Sequence, residues 1–464
     1  MHFVTLVTIA TERLHEFYCF FSHLPKAAML RLPKTGVNRL TLKSISFAMK
    51  LTSRLFVVAV VFIFASAYTQ QMALAQGVML RSIGAVNASV GGTATAMPLD
   101  ASGALYWNPA SISALKQNEM TFGLELVLPQ SKVESSVLGR SGSTKGEAGV
   151  TPVPSMGFVW STCPKSPFTY GIGMAAVGGA ASLYPHDVSN PILKEHGKSA
   201  TVIILQVTPT VSAQLTRRMS VGFAPIVDLA SLNINPMTLG SDVRAPLSAL
   251  TTYGTRYIWG AGFQVGTLYD FENNFKAGFM FKSPIWAEKL YFTGTDGNEN
   301  PASTRFHLNL PMTLSAGISY DGFRDTVIGM DVRYLDYGNT AGLRDGVNTS
   351  TGRVDGLDWE SVFSINLGME RKINHRLKVR LGYCWNENPI PNRSAYLCVS
   401  APMMTQHVFS CGFSFAFAKN LELSTAYAHA FKAKQTGVIP GEDGGTVTNV
   451  LSSDALFVSL TKKW

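Results

Sequence analysis

From residue 121 to its end at Trp464 the chain repeats one unit. Two segments with alternating side-chain character are joined by a short turn, and a long polar connection follows. In "FSFAFAK", Phe413, Phe415 and Phe417 share one face and Ser414, Ala416 and Ala418 the other. Lys419-Asn420 then turn the chain into "LELSTAYAHAF", with Leu421, Leu423, Tyr427 and Phe431 on one face. A period of two marks a strand, and two such runs around a two-residue link read as a hairpin. The unit recurs at "TLSAGISY" with "TVIGMDVRYLDY", at "WGAGFQVGTLYD" with "FKAGFMFKS", at "VTPTVSAQL" with "MSVGFAPIVDL", and at "SVFSINLGMER" with "RLKVRLGYCW". The long connections, 232–252, 291–305, 338–358, 386–405 and 433–450, are rich in Gly, Asn and Pro. Short turns on one side and long loops on the other are the pattern of an outer-membrane barrel.

A soluble β-sandwich or propeller is the competing reading. Against it stand strands long enough for a tilted membrane crossing, which takes about 9–11 residues. The last segment, "ALFVSLTKKW", places Leu456, Val458 and Leu460 on one face and ends in the aromatic Trp464. Such a terminal strand is what bacterial outer-membrane proteins present to the barrel-assembly machinery. Only a closed barrel leaves no unpaired strand edge in lipid. With about 10 residues per strand and about 14 per connection, residues 121–464 make an antiparallel transmembrane β-barrel of about 14 strands.

An export signal agrees. Met49-Lys50 to Arg54 form a basic start, "LFVVAVVFIFASA" an apolar core, and Ala73-Leu74-Ala75 a small-x-small cleavage site before Gln76. The core is shorter than the roughly 20 residues a membrane-spanning helix needs. Residues 49–75 are therefore expected to be a signal peptide and 1–48 an upstream extension. This also locates the charge. Of the formal +9, residues 1–75 carry +6 and the remainder only +3, so no nucleic-acid surface is indicated. Five cysteines occur, and Cys384 and Cys398, flanking a Pro/Asn-rich loop, are the candidate disulfide pair. No CxxC and no histidine at ligand spacing suggests a metal.

Residues 76–120 do not alternate. "GAVNASVGGTATAMPLDASGALYWNPASISAL" is rich in Ala, Gly and Ser. Asn108 suits a helix N-cap and Pro109 the first helical position, so "NPASISAL" reads as a short helix entered from an extended "ALYW". A barrel of about 14 strands has a lumen too wide for wall side chains to fill, so it is a pore or it is plugged. The small-residue segment is the candidate plug.

At this point the chain resembles the FadL family, the long-chain fatty-acid and hydrocarbon transporters of bacterial outer membranes. Four segments carry the resemblance: the plug segment with its Asn108-Pro109-Ala110, "HLNLPMTLSAGISY", "RLGYCWNENPIPN" and the terminal strand. The resemblance implies a 14-stranded barrel with an N-terminal hatch at 76–120, needing no cofactor and working as a monomer in the outer membrane. It implies gating by Trp107, Asn108, Pro109 and Ala110, and an N-terminal arm, Gln76, Gly77, Val78 and Met79, beside the ligand pocket. It makes Asn388, Pro389 and Pro391 an extracellular loop motif. The ligand would be a fatty acid or hydrocarbon, captured outside and released sideways through the wall into the membrane. Pro129, interrupting "TFGLELVLPQSKVESSV", marks one candidate for that opening. The alternative is an anchoring component of a protein-secretion system, to which the Asn-Pro-Ala segment is also suited.

An enzyme is not indicated. No Gly-x-Ser-x-Gly occurs, and "GIGMAAVGG" has the wrong spacing for a dinucleotide loop. His186, His196 and His407 are scattered through expected loops. Charges within strands, such as Glu125, Asp331 and Arg333, should face the lumen, because a base at mid-bilayer costs about 2–4 kcal/mol. Phe279, Phe281, Phe415 and Phe417 should face lipid.

Overall fold

The computed structural model describes residues 76–115, 117–162, 166–235, 237–238, 249–252, 257–295, 301–346, 355–439 and 444–464. The expected extension and signal peptide, with Ala73 and Ala75, lie outside them, as does Cys163.

Fourteen antiparallel strands close on themselves. They are β1 Glu119–Val137, β2 Thr151–Ser161, β3 Phe168–Tyr184, β4 Lys198–Gln214, β5 Met219–Asn235, β6 Tyr257–Asp270, β7 Phe275–Lys282, β8 Thr313–Phe323, β9 Thr326–Leu335, β10 Val362–Lys372, β11 Leu377–Asn386, β12 His407–Ala418, β13 Leu421–Val438 and β14 Thr446–Lys463. Each pairs with the next. The ring closes where β14 meets β1, from Glu119↔Lys463 to Ser136↔Thr446. Closure gives every strand two partners, which a hydrocarbon surrounding demands. Trp464 extends the seam: its amide donates to Asn118 O at 3.1 Å and its ring stacks 5.8 Å from Phe158. No described helix is long and apolar enough to cross a membrane.

The alternation read in the sequence sorts the side chains. On β14, Ser453, Ala455, Phe457 and Ser459 are buried while Leu456, Val458 and Leu460 stand exposed on the outer surface. Phe279, Phe415 and Phe417 are exposed likewise, and Glu125, Asp331 and Arg333 are buried inside. The short turns gather with Asn118 and Trp464 at one end, the periplasmic one by the usual asymmetry. At the other end a hairpin strand, Arg140–Lys145, folds back on β1. A small sheet there joins Met237–Thr238, Ala249–Thr252, Leu290–Thr295 and Pro301–Phe306.

The lumen holds residues 76–115. Helix α1, Gly84–Ser89, and helix α2, Ala101–Trp107, are buried along their whole length, and a 3-10 turn follows over Pro109–Ala114. Here the structure corrects one expectation. "ALYW" is the end of α2 rather than an extended lead-in, because Asp100 caps that helix by accepting from Gly103 N at 3.2 Å. The wall makes room for this module with glycine. Gly222 pairs with Gly266, Gly278 with Gly317, and Gly329 with Gly368, which pairs with Gly382. A Cβ at Gly222 would strike the Pro109-Ala110 backbone, and one at Gly278 the Thr95 carbonyl. Glycine within a strand often marks such a close backbone approach.

Candidate functional site

Asn108 ends one helix and starts the next turn. Its backbone is extended (φ −161°, ψ 105°), and its Oδ1 accepts from Ala110 N at 3.0 Å, with Pro109 at the first position of the turn. The amide nitrogen is spent on tertiary contacts. Nδ2 donates to Thr95 O within the plug at 2.7 Å and to Thr267 O of β6 at 2.9 Å. Trp107 Nε1 donates to Asn87 Oδ1 at 3.2 Å, and the Arg333 guanidinium lies 3.2 Å from the centre of its ring. Ala110 O accepts from Ser212 Oγ of β4 at 3.1 Å. All of Trp107 to Ala110 is buried. The motif is therefore a joint between plug and wall.

A second joint adjoins it and shares Thr95. Asp331 Oδ2 on β9 accepts from Ala94 N (2.9 Å), Thr95 N (3.0 Å) and Thr95 Oγ1 (2.9 Å). Arg333 pairs with the same carboxylate at 3.0 Å and donates to the carbonyls of Arg81 and Gly92. Further bonds come from around the ring: Asn366 Nδ2 to Gly91 O (2.6 Å), Gly91 N to Ser410 Oγ (3.1 Å), Ala85 N to Ser459 Oγ (3.0 Å) and Gln264 Nε2 to Leu105 O (2.8 Å). A plug surrounded by polar lumen side chains has its own orphaned backbone groups to satisfy, and the wall supplies the partners. The sequence places Asp331 and Arg333 in the lumen, as unranked candidates to hold a ligand head group, without showing that they bind residues 81–95. It passes over Asn366 and Gln264, whose only sequence signal is a polar side chain at an inward strand position.

Residues 76–79 pack against the wall and the outer loops. Gln76 Nε2 donates to Ser364 Oγ at 2.7 Å and its carbonyl accepts from the Tyr337 hydroxyl. Gly77 has φ +64° and lies so close under Tyr337 and Trp359 that no Cβ fits. Val78 lines a cavity with Val202, Leu232, Phe306, Leu308, Trp359 and Met403, and Lys198 lines it as well. Its free volume is about 80 Å³. An apolar cavity of about 150 Å³ takes a benzene, so the loops must part before a ligand of that size is seated.

Met79 bridges Gly178, and Leu80 N donates to Val177 O at 2.9 Å. They do so at an irregularity of the wall. β3 carries a bulge between Ala176 and Gly178 in its ladder with β4. Its ladder with β2 stops at Ser155↔Ala175 and resumes only where Glu147 N meets Leu183 O at 2.7 Å. Pro152 and Pro154 lie on β2 along this interval and offer no N–H. The arm thus covers a thin part of the wall from inside. Pro129, by contrast, pairs with Ser453 in an unbroken β1–β14 ladder, so the interruption read there is not a break on that edge.

The loop motif closes the outer end. Asn388 Oδ1 accepts from Ile390 N at 3.1 Å, Pro389 O from Glu360 N at 2.8 Å, and Pro391 O from Ser394 N at 3.0 Å. These turns fold the 387–406 connection over the lumen, where Tyr396, Cys398 and Met403 line the cavity. The expected disulfide is absent. Cys384 and Cys398 are free thiols. Cys384 Sγ lies 3.7 Å from Gln76 Nε2, and Cys398 Sγ accepts from Trp359 Nε1 at 3.3 Å. The intervening loop folds inward as a layer of its own, and each sulfur is engaged elsewhere. Burial pushes the Cys398 thiol up to about 12.

A closed fourteen-stranded barrel with residues 76–115 packed in its lumen is the fold of a bacterial outer-membrane protein. The chain belongs to the family described as outer membrane protein transport protein (OMPP1/FadL/TodX), whose model matches residues 65–461. Solved structures agree in fold. The Pseudomonas putida toluene transporter TodX is 17% identical, over 83% of this chain and 99% of that one, with a TM-score of 0.63. The Ralstonia pickettii toluene transporter TbuX is 16% identical over 83% and 99%, at 0.60, and a Pseudomonas aeruginosa FadL homologue 14% over 84% and 99%, at 0.65. Comparison with curated proteins finds no match. The family is one of transport channels, not enzymes.

Proposed function

We propose that the chain carries hydrophobic compounds, long-chain fatty acids or aromatic and aliphatic hydrocarbons, passively across the outer membrane. The observation that carries this reading is the apolar cavity against Val78, directly above an arm that lies over the interrupted β2–β3 ladder. Each buried CH2 favours capture by about 0.8 kcal/mol, and a ligand passing downhill into the bilayer needs no other energy source. In this reading residues 76–120 form the hatch, Trp107 to Ala110 hold it, and Gln76–Met79 couple cavity to wall. TodX and TbuX are toluene transporters, which supports a hydrocarbon among the ligands. The working unit is a monomer, whose partners are the ligand, the surrounding lipid and the assembly machinery.

The test is uptake of labelled oleate and of toluene by cells expressing residues 49–464 in a host without its own transporter. Saturable uptake that falls on deleting 76–79 is expected. A folded barrel that takes up neither would overturn the reading in favour of the secretion anchor. Replacing Asn108-Pro109 by Ala-Ala is expected to leave the barrel assembled and heat-modifiable while lowering uptake. Failure to assemble would make the motif a folding element instead.

A further inference from the structure

The outer wall carries a charged row that uptake does not use. Outward positions on β1 run Met120, Phe122, Leu124, Leu126 and Leu128, then change to Gln130, Lys132 and Glu134. β14 makes the same change at Asp454, beyond Leu460, Val458 and Leu456, and Asp454 pairs with His429 of β13. Residues 120–128 on a tilted strand rise about 20–25 Å, the height of the apolar band of such barrels. Lys132 therefore stands just above the band, at the headgroup level of the outer leaflet.

Lys132 is not alone at that level. Lys434 pairs with Val450, Val450 with Lys132, and Lys132 with Lys145 of the folded-back hairpin. Residues directly opposite in antiparallel ladders share a face, so three lysines form one outward row across four strands. Like charges placed directly opposite, as Lys132 and Lys145 are, destabilise a sheet. One carboxylate, Glu134, serves both Lys132 (2.7 Å) and Lys434 (3.5 Å), and Lys145 has no ion pair among the described residues. The row keeps a surplus of positive charge at a level where an anion from the membrane would meet it.

We propose that Lys132, Lys145 and Lys434 bind a phosphate of an outer-leaflet lipid headgroup, whose acyl chains lie along the apolar face of β1 and β14 below. The phosphate offsets the Lys132–Lys145 repulsion and ties the surface hairpin to the membrane. The site is independent of the uptake reading, since it lies on the opposite face of the wall from the cavity.

The assay is native mass spectrometry of the full chain in detergent with added lipid A, bisphosphorylated or enzymatically dephosphorylated. Each lysine near an anionic lipid surface is worth about a fivefold factor. The K132Q/K145Q/K434Q variant should bind bisphosphorylated lipid A about 100-fold more weakly, and the wild type should discriminate against the dephosphorylated form. Millimolar inorganic phosphate should not displace the lipid. Equal binding of the two lipids, or full retention by the variant, would show the row to be a solvated face. Inorganic phosphate bound as tightly as the lipid would make it a free-anion site and remove the lipid assignment. Should the triple variant fail to assemble, K145Q alone, on the hairpin, is expected to lose about fivefold, and unchanged binding by it is equally fatal to the proposal.

Discussion

Asp331→Ala tests whether the plug is held by the wall or merely enclosed by it. One carboxylate oxygen accepts from Ala94 N, Thr95 N and Thr95 Oγ1 and also pairs with Arg333, all within 3.0 Å. Hydrogen bonds to a charged acceptor contribute about 1.5–3 kcal/mol each. Removing one partner of a buried ion pair costs about 3–5 kcal/mol because the other charge is stranded. These terms overlap, so a loss of about 5 kcal/mol in plug docking is the working figure. The barrel does not share it, because its fourteen ladders are untouched. The expected result is a folded, heat-modifiable barrel whose plug is loosened. Amide exchange at Ala94 and Thr95 should quicken by roughly three to four orders of magnitude, at about 1.4 kcal/mol per tenfold, and small sugars should leak in liposome swelling. Asp331→Asn keeps an acceptor without the charge and should fall between. Unchanged exchange at both amides with no leak would refute the anchoring argument.

Other perturbations probe the rest of the route. Leu232→Trp fills the outer cavity and should cut oleate and toluene uptake about tenfold without changing heat modifiability; unaltered uptake would place the ligand elsewhere. Pro152→Ala with Pro154→Ala supplies two N–H groups to the interrupted β2–β3 interval, each worth about 1 kcal/mol. Barrel melting should rise and uptake slow, and normal uptake at a raised melting point would count against sideways release there. Cys398, with its thiol pushed up to about 12, is ionised only to roughly one part in 10⁴ at pH 8. Because the folded value is raised, the thiolate fraction grows tenfold per pH unit through that range. Maleimide should label it only slowly until a ligand or denaturant parts the loops; rapid labelling of the resting protein would contradict its burial.

Period-two alternation is a local property, so strand identity, inward charges such as Asp331 and Arg333, and outward rings such as Phe415 could be read from neighbouring residues alone. The same holds for the Asn108 cap and for a strand count near fourteen, which follows from strand and connection lengths. The glycines opposite the plug were also visible as Gly-containing strands, but their purpose was not, since nothing local says which backbone approaches them. Closure of the barrel decided the rest. It brings Asp331 to Thr95 across 236 residues and Asn108 to Thr267 across 159. It sets the β2–β3 ladder to stop beside the arm at Met79, although Pro129 was the more conspicuous interruption. It also turns Cys384, on β11, and Cys398, in the connection that follows, toward different partners. A sequence records the face each side chain takes on its own strand. What stands opposite that face depends on register and curvature summed over fourteen strands, and only the folded ring supplies it.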